Sequence, residues 1–360
     1  MAKGLGTTLT KIPTSSITDS TIGLTNLVTT GTASSSTFLK GDLSWAAVAV
    51  EGKVNTAGSD PVSNTAGDIW YTGGKFKFAI DSNSLVGSWG TAGNISQATN
   101  HQASAGTLNA GLWFNGFNGS SYLTQTQAYN GTSWVTVNSL VGSARRQADG
   151  DGTSTAALCV GGTDGNTYFN LTTEYDGTSW SAGGTLADSR GSSAVGGTQT
   201  ATFCAGGDGA TDTSSTEEYN GTAWAAGPDL NAGRGDTTGC GKLTAGLAAG
   251  GTGSSTATSE YDGTTWSAGG ALNTGRNSGG VCGSQNAALI QGGSFSGTLN
   301  VTETYDGTAW SVVQNVVTGV SWTTTTGSQT AALKIGGHTS STYTATCEEY
   351  TKAVMKFIGT

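Results

Sequence analysis

Apolar positions along this chain fall into short runs, and from residue 89 to residue 350 the runs return at a regular interval. Trp89, Trp134, Trp180, Trp224, Trp266 and Trp310 follow one another every 42–46 residues. About ten residues after a Trp stands an Arg (Arg145, Arg190, Arg234, Arg276), then a G-[ST]-x-[TN]-A turn or a relative of it, an apolar run and a Gly pair. The pairs are Gly161-Gly162, Gly206-Gly207, Gly250-Gly251, Gly292-Gly293 and Gly336-Gly337, with Asn115-Gly116 in the first unit. A variable stretch then leads to Tyr129, Tyr175, Tyr219, Tyr261, Tyr305 and Tyr350. Short apolar runs bounded by Gly, Asn and Asp predict strands. Their period is that of a four-stranded blade repeated around a ring.

Between Tyr and Trp, [DN]-G-T-x occurs five times. Asp-Gly and Asn-Gly favour a two-residue type I′ hairpin, because both turn positions need φ > 0. Such a turn would pair Tyr175 with Thr178 and Thr173 with Trp180, leaving Tyr and Trp as diagonal neighbours on one face of the sheet. A four-stranded sheet cannot bury both faces alone, so the repeats are expected to close into an all-β, six-bladed β-propeller. Burial of each Trp contributes roughly 4–6 kcal/mol as an upper bound. One candidate outer strand is surplus: either the Trp89 strand or "AVMKFIG", residues 353–359, completes the sixth blade.

The Gly pair, Tyr and Trp in this order resemble the kelch repeat, which implies a kelch-like propeller over about residues 89–360. The Tyr-to-Trp gap of five residues is shorter than the kelch pattern, which implies a compressed hairpin. "TEYDGTSW" also looks like the sialidase Asp-box, but Asp176 and Gly177 are adjacent, so that match fails. Upstream, residues 1–62 are rich in Ser, Thr and Gly and lack the repeat. Alone, such a segment would be poorly ordered, so it is expected to be extended and ordered by a partner. "GTASSSTFLKGDLSW", residues 31–45, and "GDIWYTGGKFKFA", residues 67–79, resemble motifs common in bacteriophage tail-fibre and virion proteins. The second reads as a β-hairpin turning at Gly73-Gly74 within a connector at 63–88. This resemblance implies a virion protein made in the host cytoplasm and held to other virion proteins through its N-terminal segment. By analogy with fibre proteins it is a homo-oligomer, a trimer.

Composition narrows the partners. Net charge is −9 with only 15 Lys plus Arg, and no basic cluster exceeds Arg145-Arg146. The phosphate-neutralising footprint of a nucleic-acid binder is therefore missing. No apolar run has membrane-spanning length, and "MAKGLGTTLTKIPTSS" lacks the apolar core of a secretory signal. Five cysteines at spacings unlike C-x-x-C favour free, buried thiols.

Candidate chemistry is sparse. His101 and His338 are the only histidines and read as ordinary loop or strand residues; no metal or cofactor is expected. "DGDGT", Asp149 to Thr153, lacks the downstream Glu of a calcium loop and reads as a polar turn. Glu174, Glu217, Glu218, Glu260, Glu303, Glu348 and Glu349 recur in register beside the Tyr, which favours structural or solvent-facing roles. In a four-stranded meander the long Gly-pair loops and the Arg segments share one end, so Phe117, Tyr122, Tyr168, Phe169, Phe295 and Tyr343 are candidates for a binding face. Arg145, Arg190, Arg234 and Arg276 join them as candidates, although their regular recurrence favours structural work. The expected function is non-enzymatic: display of this face to a host-surface glycan or protein. A capsid decoration protein and a glycan-cleaving enzyme are the alternatives.

Overall fold

A computed structural model describes residues 87–352 together with the backbone of four short strands nearer the N-terminus. The chain divides into two units, Val86–Lys352 and a second made of Met1–Leu85 with Ala353–Thr360. In the second unit, Thr37–Leu39 pairs antiparallel with Trp45–Ala47. Ile69–Thr72 pairs with Lys75–Phe78, Thr72 opposite Lys75, which is the hairpin expected around the two glycines. The rest of the anchoring segment expected over residues 1–62, and the strand candidate at 353–359, lie outside the described residues.

Residues 87–352 form a six-bladed β-propeller, and every described element is a strand. Each blade is a four-stranded antiparallel meander. The first blade contains Ala103–Thr107, Ala110–Phe114, Thr126–Tyr129 and Trp134–Val137. Four more span 149–182, 194–226, 238–268 and 280–313. In the sixth, Thr324–Ser328, Ala331–His338 and Tyr343–Thr351 receive their outer strand, Ser88–Thr91, from the start of the unit. Trp89 there stands opposite Tyr350, so the Trp89 strand completes the ring. The innermost strands neighbour one another all the way round, the sixth beside the first. Ser104 Oγ lies 2.6 Å from Thr324 Oγ1, and Thr326 Oγ1 donates to Gly106 O at 2.6 Å across that joint.

The Tyr–Trp hairpins differ from the expected type I′ geometry. Tyr175 stands directly opposite Trp180, with ring centroids 5.1 Å apart. The turn holds four residues because the Asp176 side chain closes it: Oδ1 accepts from the Thr178 and Ser179 N–H groups at 2.8 and 2.7 Å. Only Gly177 then needs φ > 0. Asn130, Asn220, Asp262 and Asp306 close the equivalent turns in the same way. "DGDGT" is likewise a strand, Asp149–Thr153, and not a turn; its residues pair with Ala156–Val160 on the inner side of the second blade.

The core lies between blades. Phe203, Leu230, Tyr261 and Trp266 form one buried cluster spanning the third and fourth blades. Polar contacts then set the blades in register. The Trp180, Trp266 and Trp310 indoles donate to Thr126, Thr216 and Thr258 Oγ1 of the preceding blade at 2.9–3.0 Å, and Trp224 donates to Thr172 Oγ1 at 2.8 Å. Tyr219, Tyr305 and Tyr129 donate to Glu174, Glu260 and Glu349 at 2.5–2.6 Å, and Tyr261 donates to Glu218. Where the residue before the preceding Tyr is Thr304, the next hydroxyl, that of Tyr350, is buried without a partner. On the tight-turn face, Gln199, Gln285 and Gln329 donate to the carbonyls of Tyr175, Tyr261 and Tyr305.

Candidate functional site

The opposite face carries the long loops, and its platform is built by the four repeat arginines. All four side chains are buried, so they form no part of an exposed binding surface. Arg276 Nη1 donates to Gly292 O and Val301 O, both at 2.9 Å, and Nη2 pairs with Glu303. Arg190 makes the same set with Gly206 O, Ser215 O and Glu217, the last at 2.8 Å. Arg234 reaches Ser259 Oγ and Arg145 reaches Thr173 Oγ1 where the glutamate is missing. Arg190, Arg234 and Arg276 thus satisfy carbonyls at the base of a loop that begins with the Gly pair, whereas Arg145 donates to Ser143 O of its own segment and to Cys159 Sγ. Both glycines of every pair have positive φ, and Asn115 adopts φ 55° in the first unit. The sixth blade rearranges the charge. Val320 occupies the arginine position, and the Glu348 carboxylate is met instead by Lys334 from the second strand at 2.7 Å.

Above this platform the loops are pinned by short antiparallel bridges, Asn100 with Phe117, Arg146 with Thr163, Gly191 with Asp208, Asn277 with Ser294 and Ser321 with His338. Nearer the axis, two residues after each arginine position, stand His101, Gln147, Ser192, Asp236, Ser278 and Trp322, every one with φ between 46° and 56°. A nearly continuous belt of backbone hydrogen bonds joins them: His101 N–H to Trp322 O, Gln147 to His101, Ser192 to Gln147, Ser278 to Asp236 and Trp322 to Ser278, at 2.8–3.1 Å. They rim a cavity of about 90 Å³ at the mouth of the central channel, walled by all six blades.

The mouth is chemically two-sided. On the sixth and first blades a run of half-buried rings crosses the face. His101 stacks on Trp322 at 4.7 Å, Trp322 meets His338 at 5.5 Å, and His338 meets Tyr343 at 5.0 Å. Tyr343 meets Phe117 at 6.0 Å, and Phe117 meets Tyr122 at 5.0 Å. The Arg146 guanidinium lies over Phe117 and Tyr122, 5.5 and 5.8 Å from their centroids. Burial, then the Arg146 cation, hold the His101 imidazole well below its usual range. On the third and fourth blades the rim is acidic. Gln147 Nε2 donates to Ser192 Oγ at 3.0 Å and Asp208 Oδ2 at 3.3 Å, and Asp236 N–H donates to Asp208 Oδ1 at 3.2 Å. Burial, then the neighbouring Asp236 and Asp212 charges, push the Asp208 carboxyl up to about 7. A Cβ on Gly235 would collide with Asp208 Oδ1 at 1.8 Å and Asp212 Oδ1 at 2.6 Å, so only glycine lets these carboxylates converge.

Of the aromatic candidates, Phe117, Tyr122 and Tyr343 come together in this cluster. Tyr168 sits toward the acidic arc, where burial and then Asp208 raise its hydroxyl pKa. Phe169 is half-buried at the base of its loop, and Phe295 stands apart on the fifth blade, 54% exposed. The sequence reads His101 and His338 as ordinary residues and Arg146 only as half of a basic pair, and it does not single out Trp322. Aligning the six repeats on the position two residues after the arginine was the available signal, because identity varies there while the flanking residues repeat. Among the described residues no group of His, Cys, Asp and Glu is arranged to hold a metal ion. Comparison of the chain with protein-family models and with curated proteins finds no match.

Proposed function

We propose that the chain is a non-enzymatic structural protein of a bacteriophage virion, of tail-fibre or appendage type, whose kelch-like propeller binds a host-surface carbohydrate through the loop-rich face. The run of half-buried rings from Tyr122 to His101 carries this reading. Flat apolar faces beside hydrogen-bonding carboxylates and amides are what a sugar, with one C–H face and a rim of hydroxyls, requires. The pinned loops support it further, since a rigid surface loses little freedom on binding. The virion setting rests on the motifs at 31–45 and 67–79, and the N-terminal segment then joins other virion proteins, in a trimer by analogy with fibres.

Purified protein applied to an array of bacterial surface polysaccharides tests the proposal. Retention without release of reducing ends is the expected result. A second reading, glycan cleavage, is favoured by the Asp208 carboxyl at about 7 beside Asp236, a range suited to a general acid. New reducing ends would establish that reading in place of the first. Failure to retain any glycan, with the protein found on capsids, would leave a decoration role.

A further inference from the structure

The six rim positions pose a physical question of their own. Residues with side chains at φ near +50° are disfavoured, and glycine fills such positions without steric penalty. Glycine does so throughout the neighbouring Gly pairs. At the rim none of the six is glycine, and two are as bulky as His101 and Trp322. Strain retained where the fold does not require it points to use of the side chains. Their chemistry is divided: His101 and Trp322 stack on one side, while Gln147, Ser192 and Asp236 form a polar arc on the other. At this rim His101 Nδ1 is buried with no hydrogen-bond partner, an arrangement that asks for an explanation.

We infer that the channel mouth receives one edge of a neutral or amino-substituted hexose ring, with a C–H face on Trp322 and the inserted hydroxyls turned to His101 Nδ1 and the Ser278–Asp236 arc. This rests on the carbohydrate-binding reading above. Walls contributed by all six blades leave only the axial approach, so the ring is a chain end or branch and not a mid-chain unit lying across the face. Asp149, Asp208 and Asp236 lie together on one side of the mouth. The Arg146 cation lies over two aromatic faces. With Arg146 held over those rings, no free cation among the described residues faces the arc to receive a carboxylated or sulfated sugar, whereas its carboxyl groups can accept from a hydroxyl or an ammonium group.

Saturation-transfer NMR on the full chain with glucose, galactose, glucosamine, N-acetylglucosamine and N-acetylneuraminic acid tests this directly. Transfer is expected to at least one of the first four at millimolar concentration, and none to N-acetylneuraminic acid. Trp322→Gly is expected to weaken that binding at least tenfold while leaving the melting temperature unchanged or raised, because glycine relieves the backbone. Asp236→Asn is expected to weaken glucosamine more than glucose. Equal binding by Trp322→Gly, or preference for the acidic sugar, overturns the inference. If wild type binds neither these sugars nor any polysaccharide, the broader carbohydrate reading falls as well. Polysaccharide retained without any monosaccharide signal overturns the single-ring site alone.

Discussion

The seams between blades and the rim of the channel are both sixfold features of one ring, yet they vary in opposite ways. At the seams the side chain repeats: a Tyr opposite a Trp, with the indole donating in five blades to a threonine of the preceding blade and, at Trp134, to Gly93 O. At the rim the backbone repeats, φ for φ, while the side chains run through imidazole, amide, hydroxyl, carboxylate and indole. Packed aromatic interfaces constrain volume and shape, so identity there is narrowly set. A turn held by its own backbone hydrogen bonds constrains only the chain path. The same Trp residue type therefore does different work in the two places, and substitutions can separate the roles.

The largest expected effect lies at a seam. Trp266→Ala removes a buried indole packed on Tyr261 and Phe203 and strands the Thr216 hydroxyl. A loss of about 4–5 kcal/mol is expected in urea unfolding, as for other buried aromatic truncations. The same change at rim residue Trp322 should move stability by less than about 1 kcal/mol, as expected away from the packed core. Equal losses at both sites would erase the contrast.

Next comes the charge arrangement beneath the loops. Lys334→Ile leaves the buried Glu348 carboxylate without its cation and is expected to destabilise by about 3 kcal/mol. Adding Val320→Arg to that variant recreates the fifth blade's arrangement, in which Arg276 meets Glu303 from the loop segment. Recovery of at least half the lost stability, measured by thermal unfolding, would show that the sixth blade reaches the same pairing from another strand. No recovery would mean that the two blades differ in more than the origin of the cation.

A smaller, pH-dependent effect belongs to the inner wall between the second and third blades. Asp151 accepts from the Gly197 N–H of the third blade at 2.8 Å, and desolvation raises its carboxyl to about 7. The folded chain keeps this proton where the unfolded chain has released it, so the group's contribution to stability falls as pH rises from about 4 to about 7. Asp151→Asn should remove that part of the slope in melting temperature, while Asp176→Asn, in an exposed turn whose carboxyl is lowered by backbone N–H groups, should not. An unchanged slope in Asp151→Asn would place the protonation elsewhere. About 1 kcal/mol is expected from Thr304→Glu, which offers the partnerless Tyr350 hydroxyl the acceptor found in four other blades. A gain in melting temperature that disappears in Tyr350→Phe would confirm the bond.

How much of this could be read from the sequence follows the same division. The blade count, the Tyr–Trp pairing surface and the hairpin at 69–78 were readable because repetition exposes what packing demands. The turn type was misread, since Asp-Gly announces a turn but not that the Asp176 carboxylate would close it. The arginines looked divided between surface and structure, and only three dimensions show Arg190, Arg234 and Arg276 reaching the loop carbonyls. His101 and His338 read as ordinary because nothing local distinguishes them; Trp322, 221 residues from His101, is what gives the imidazole its place.

The smallest effect is the sharpest separator of seam from rim. Ser278→Gly removes a hydroxyl beside the Asp236 carboxyl and a Cβ from a residue at φ 53°. Relief of about 1 kcal/mol of backbone strain is offset in part by the greater freedom of glycine in the unfolded chain. A net gain of about 0.5 kcal/mol is expected, against a loss for any comparable truncation at a seam. If the rim serves a ligand, this gain should come with weaker sugar binding, because the fold has kept a less stable residue where the hydroxyl is needed. A loss of stability in Ser278→Gly would instead assign the rim side chains to the fold, and strain at the rim would no longer point to a ligand.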